Sequence, residues 1–135
     1  MKVVQNFLIN WSFAETFMIK KIGIGCDIIE IQGFKGSRGV VLKKFAKIFT
    51  LSEFEYCFTK SFPEQHLAAR FSAKEALIKA FSALSIKVLD YHDVEILNRK
   101  GLPYVAVRNI GKGCKISLSL SHCKRYAMAY AHITK

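Results

Sequence analysis

A chain of 135 residues that is 51% hydrophobic is about one domain long and buries a core without needing disulfides or a structural metal. Its formal charge of +11 implies an anionic partner such as nucleic acid, a phosphate-rich ligand, an acidic protein or an anionic membrane surface. The four cysteines, Cys26, Cys57, Cys114 and Cys123, form no CxxC pair and no zinc spacing, which excludes a redox motif and a zinc site and suits reduced thiols in the cytoplasm.

Residues 1–17, MKVVQNFLINWSFAETF, are apolar but interrupted by Gln5, Asn6, Asn10, Ser12 and Glu15, with one early lysine and no small-x-small cleavage site. They read as an N-terminal extension, a short helix or frayed tail, rather than a signal peptide. Met18 is a candidate start, and residues 18–135 a single domain. No run approaches the roughly 18 uninterrupted apolar residues of a membrane helix, so no membrane partner is expected.

KKIGIGCDIIEI (20–31) reads as a strand ending near Asp27; Gly23 and Gly25 lack the third glycine of a dinucleotide fingerprint. In GFKGSRGVVLKKFAKIF, Val41, Phe45 and Ile48 at helical spacing, with Lys43, Lys44 and Lys47 around them, predict a basic amphipathic helix. Ser52 followed by Glu55 has the spacing of a capping box and predicts a second short helix. SFPEQHLAARFSAKEALIKAFSAL, with proline near its first turn, is the longest helix. The period then shifts from 3.6 to 2. DVEIL and YVAVR flank NRKGLP as a hairpin, and KISLSLSH pairs with YAMAYAHI around 123–125. Strand, helices, then antiparallel strands predict an α+β fold, one long helix packed on an antiparallel sheet.

On the long helix the apolar stripe of Leu67, Phe71, Ile78 and Phe81 runs through Lys74. A lysine there either snorkels to solvent or meets an anion. Glu75 and Lys79, four apart, are an ordinary surface pair when taken alone; together with Lys74 they offer two cations and a carboxylate to one phosphate-bearing ligand. Asp27 is either a turn residue or a second carboxylate. Paired with Glu75 it makes the sparse ligand set that Mg²⁺ tolerates, completed by waters and phosphate oxygens. Ser121 and His122 beside a turn suit phosphate hydrogen bonding or proton handling as well as a structural role.

Three blocks, GIGCDIIEI, RFSAKEALIKAF and SLSHCKRYAMAYA, resemble in order and spacing the signature motifs of the holo-(acyl-carrier-protein) synthases, which are bacterial 4'-phosphopantetheinyl transferases. KKFAKIFTLSEFE and DVEILNRKGLPYV resemble that family's second-helix region and hairpin. The resemblance implies the phosphopantetheinyl transferase fold and transfer of the 4'-phosphopantetheine arm of coenzyme A to a serine of an apo acyl carrier protein, releasing adenosine 3',5'-bisphosphate, in fatty acid biosynthesis. It implies Mg²⁺ on Asp27 and Glu75, Lys74 and Lys79 at the coenzyme phosphates, Ser121 and His122 at the coenzyme, and Ser82 beside it. Asp27, Glu75, Lys79 and His122 form the catalytic set it implies. The proton acceptor stays open between Glu75, a metal-bound water and His122.

An acidic carrier protein steered by Lys43, Lys44 and Lys47 accounts for the charge, and a homotrimer with active sites between protomers is implied. Two departures stand out: Gly33 where an arginine that helps hold the carrier protein is usual, and Ser82-Ala83-Leu84-Ser85 where a glycine-rich loop is usual. Two alternatives remain: a non-enzymatic nucleic-acid-binding module, suggested by KKFAKIF, and a degenerate homologue that binds carrier protein without turnover.

Overall fold

The computed structural model describes residues 20–135; the extension expected over 1–17 and the start at Met18 lie outside the described residues. In chain order the elements are β1 (Ile22–Glu30), a 3-10 turn (Ile31–Phe34), α1 (Arg38–Phe45), α2 (Leu51–Phe58), α3 (Pro63–Ala83), a second 3-10 turn (Tyr91–Asp93), β2 (Val94–Arg99), β3 (Leu102–Val107), β4 (Lys115–His122) and β5 (Tyr126–Thr134). The expected α+β architecture is present. β5 lies between β1 and β4 in an antiparallel three-stranded sheet, and β2 and β3 form a separate hairpin.

The long helix and the sheet meet through small residues. β5 turns Ala127, Ala129, Ala131 and Ile133 inward, and α3 answers with Ala73, Ala76, Leu77, Ala80 and Phe81, all buried. Small side chains on both faces let the two backbones approach closely. At the tightest point a Cβ on Gly25 would lie 1.9 Å from the Ala76 carbonyl oxygen, and one on Gly23 2.1 Å from that of Ala80. The GIG of β1 is therefore a helix-packing device. A second cluster, with Phe34, Phe49, Phe54 and Leu67 buried at its centre, seats α1 and α2 against the first half of α3.

Four local expectations are corrected. β1 does not end near Asp27 but continues to Glu30, because β5 pairs with it from Ile22↔Thr134 to Glu30↔Tyr126. The capping box is Thr50 and Glu53, not Ser52 and Glu55. Thr50 Oγ1 accepts from the Glu53 amide at 3.3 Å and Glu53 Oε2 from the Thr50 amide at 2.8 Å, so α2 starts one residue before Ser52. Ile48 falls beyond α1, where the chain turns and brings the Phe49 ring within 5.9 Å of Phe45 and 6.4 Å of Phe34. The hairpin turn is only Lys100-Gly101, with φ of 50° and 82°, as a two-residue primed turn requires.

α3 ends in a Schellman arrangement: the Ile86 amide donates to the Phe81 carbonyl and the Ser85 amide to that of Ser82, both at 2.9 Å. Ser85 carries the left-handed φ of 59°, a conformation a Cβ disfavours and glycine adopts freely. Ser85→Gly is accordingly expected to stabilise the chain by about 0.5–1 kcal/mol, read as a higher midpoint in urea unfolding.

Candidate active site

α3 runs along β1 and grips the strand backbone at two points. Ser72 Oγ donates to the Asp27 carbonyl at 2.7 Å, and Lys79 Nζ donates to the Cys26 carbonyl at 2.9 Å and to Asp27 Oδ1 at 3.0 Å. Residues 72, 75, 79 and 82 follow one another at three- and four-residue steps, so they share a face. The helix thus sets Lys79 against the Asp27 carboxylate, with Glu75 and Ser82 on the same helix face. Asp27 is only 17% exposed and Lys79 52%, which leaves the ammonium reachable from solvent. The hydrogen bond it donates to Asp27 holds the Lys79 ammonium above its ordinary pKa.

Glu75 does not bridge to Lys79, the pairing its spacing suggests. It accepts instead from the phenol hydroxyl of Tyr91, at Oε1. That bond, then burial, then the charges of Glu75 and Asp27 push Tyr91 up to about 12. Both carboxylates therefore act on the same phenol, and Lys79 also feels the charge of Glu75. Two hard carboxylates on an open edge are donors that could hold a magnesium ion which keeps most of its waters. Among the described residues no group of three or more Asp, Glu, His or Cys gathers, so a cage built wholly of protein side chains is not what this edge offers.

Lys74 lies elsewhere. It is fully buried, ion-paired with Glu53 Oε2 at 2.9 Å, and donates to the carbonyls of Tyr91 at 2.8 Å and Val94 at 2.6 Å. Glu53, equally buried, accepts further from the Ile96 amide at 2.8 Å. The lysine on the apolar stripe neither snorkels nor faces a ligand phosphate: its three donors are used inside the protein. Burial lowers its pKa while Glu53 works in the opposite direction. It ties α3 to α2 and to the start of β2.

Ser121 and His122 end β4, whose register runs through β5 to β1 as Ser121↔Met128↔Ile28 and His122↔Ala127↔Ile29. Two strand spacings, roughly 10 Å, separate them from β1. The His122 ring meets His66 of α3 edge-on at 6.2 Å; burial, then the charges of Arg70 and His122, hold His66 below its usual pKa. One chain thus brings Asp27, Glu75 and Lys79 to one edge, with Ser82 further along the same helix face, and leaves Ser121 and His122 on the other edge. Sequence reading missed Tyr91 and Ser72, because nothing in YHDVEI marks its tyrosine as the partner of a glutamate 16 positions earlier.

A sequence profile of the 4'-phosphopantetheinyl transferase superfamily matches residues 23–131. A relative described as holo-[acyl-carrier-protein] synthase, from Protochlamydia amoebophila, is 39% identical over 116 residues, covering 82% of this chain and 95% of that one. The chain belongs to the holo-[acyl-carrier-protein] synthase family. Its namesake in Ruminiclostridium cellulolyticum is 42% identical over 121 residues, with 82% and 90% covered. Among solved structures, the Chronobacterium ammoniagenes ACPS–CoA complex superposes with a TM-score of 0.68 at 26% identity over 83% of this chain and 96% of that one. The Bacillus anthracis synthase in complex with CoA (3',5'-ADP) gives 0.68 at 26% identity over 86% and 98%. Family membership makes this chain a transferase and removes the nucleic-acid-binding alternative.

Proposed function

We propose that this chain moves the 4'-phosphopantetheine arm of coenzyme A onto a serine of an acidic apo acyl carrier protein, with Asp27 and Glu75 as magnesium ligands. The observation that supports it most is the convergence of Asp27, Glu75 and Lys79 on one edge of α3 and β1. The serine oxygen attacks the pantetheine-side phosphorus, the bridging P–O bond breaks, adenosine 3',5'-bisphosphate leaves, and the hydroxyl proton goes to a base. Bound there, magnesium would neutralise pyrophosphate charge as the leaving phosphate forms. Lys79, exposed and charged, offers the developing anion a second positive partner. Ser82 lies one turn further along the same face. Lys74 is absent from this set.

The same reading makes the chain a homotrimer. The outward face of the three-stranded sheet shows Ile22, Ile24, Ile28, Met128 and Tyr130, with Ile28 65% exposed. An apolar face of this kind is an association surface, and a ring of copies sets the Asp27 edge of one beside the Ser121–His122 edge of the next. The carrier protein is drawn by the exposed Lys43, Lys44 and Lys47, which makes association salt-sensitive. Gly33 is open, with nothing within 4 Å of a built Cβ, so Gly33→Arg is tolerated sterically. Among the described residues no helix is long and apolar enough to cross a membrane, and we place the reaction in the cytoplasm.

The test is direct. Purified chain, an apo acyl carrier protein, coenzyme A and Mg²⁺ are incubated, and the carrier protein is weighed intact. Gain of the phosphopantetheine mass, lost on adding EDTA, is the expected result; an unchanged mass with every acidic carrier protein of the source organism would overturn the proposal.

A further inference from the structure

We propose that Tyr91 is a positioning residue for the transfer: its phenol hydroxyl, donated to Glu75 Oε1, sets the direction in which the Glu75 carboxylate meets a divalent cation. The inference rests on the reading of Asp27 and Glu75 as metal ligands. A glutamate on a helix surface has three side-chain torsions, and fixing them costs rotamer entropy. A partner that already holds one oxygen removes part of that cost before the cation arrives, as hydrogen bonds behind metal ligands generally do.

The hydroxyl is well placed for this because everything behind it is fixed. The Tyr91 carbonyl accepts from buried Lys74 at 2.8 Å. Its 3-10 turn is closed at both ends by side chains, with the His92 amide on Asp90 Oδ1 at 2.7 Å and the Asp90 amide on Asp93 Oδ2 at 3.2 Å. The ring stacks on Phe71, centroids 6.3 Å apart and planes at 21°, and Phe71 packs in turn on Phe34 at 5.6 Å. Phe71 lies one turn before Glu75 on α3, so ring and hydroxyl span consecutive turns of the helix that presents the carboxylate. A phenylalanine at position 91 would satisfy the stack, the turn and the Lys74 contact equally well. Only the oxygen is unexplained by folding, and it is aimed at a carboxylate of the site.

Tyr91→Phe isolates that oxygen. Mn²⁺ is titrated into the full-length variant and the wild type, and binding is read from loss of the free-ion electron paramagnetic resonance signal. The expected result is a dissociation constant raised about tenfold, an Mg²⁺ activation constant raised by the same factor, a kcat near wild type at saturating Mg²⁺, and an unchanged melting temperature. Mn²⁺ affinity within twofold of wild type, or tighter, overturns the proposal. Should the phenylalanine chain not fold, Tyr91→Leu is titrated instead and read the same way. Asp27→Asn and Glu75→Gln separate the two levels: if they too bind Mn²⁺ as wild type does, the metal-ligand reading has failed, whereas their weakening alongside an unaffected Tyr91→Phe discards the tyrosine alone.

Discussion

Lys74→Met is expected to destabilise the fold by about 3–5 kcal/mol, a large share of the 5–15 kcal/mol that holds a typical domain. The substitution keeps a long apolar stem but leaves the Glu53 carboxylate without its cation in a place closed to water, and it strips the Tyr91 and Val94 carbonyls of their donor. An uncompensated buried charge is what makes such a change costly. Glu53 would still accept from the Thr50 and Ile96 amides, so replacing the carboxylate with an amide forfeits one of those bonds but relieves the orphaned charge. The double variant Glu53→Gln, Lys74→Met should therefore lose less than the sum of the two single losses. Urea unfolding of the four proteins reads this directly. Had Lys74 instead faced the phosphates of coenzyme A, its loss would spare the midpoint and raise only the KM for the coenzyme. A Lys74→Met chain with a wild-type midpoint would return the lysine to the site.

Lys74 also shows where sequence reading reaches its limit. Its position on the apolar stripe left it open between snorkelling and an anion, and the resemblance implied coenzyme phosphate; the partner is Glu53, 21 residues away in a helix whose orientation only packing fixes. The elements themselves were legible: the shift in hydrophobic period, the proline at the start of α3 and the paired strands all stand as read. Asp27 and Lys79, singled out in separate segments, meet at 3.0 Å in the structure. Glu75 with Tyr91 was not legible, because that contact depends on how the chain returns after α3. The left-handed Ser85 carries a related lesson. The absence of glycine suggested lost backbone freedom, yet the Schellman hydrogen bonds hold a serine in the conformation a glycine would take. The departure from the family pattern costs stability rather than the turn.

Asp27→Ala and His122→Ala are each expected to lose transfer activity, the first on the order of a thousandfold because it removes the proposed metal ligand, whose cation would stabilise leaving-group charge. Mixed together, they should recover part of it. Each chain presents the carboxylates and Lys79 on its β1 edge and Ser121 and His122 on its β4 edge, two strands apart, and the proposed ring completes every site from two different copies. In heterotrimers formed at random from equal amounts, about one site in four pairs an intact Asp27 with an intact His122. Co-refolded or subunit-exchanged mixtures should thus show about a quarter of wild-type activity per site. Adding the two proteins without exchange should show none. Activity of the exchanged mixture no higher than that of the better single variant would mean that each chain builds its site from its own residues. The exposed face of Ile22, Ile24, Ile28 and Met128 would then need another occupant.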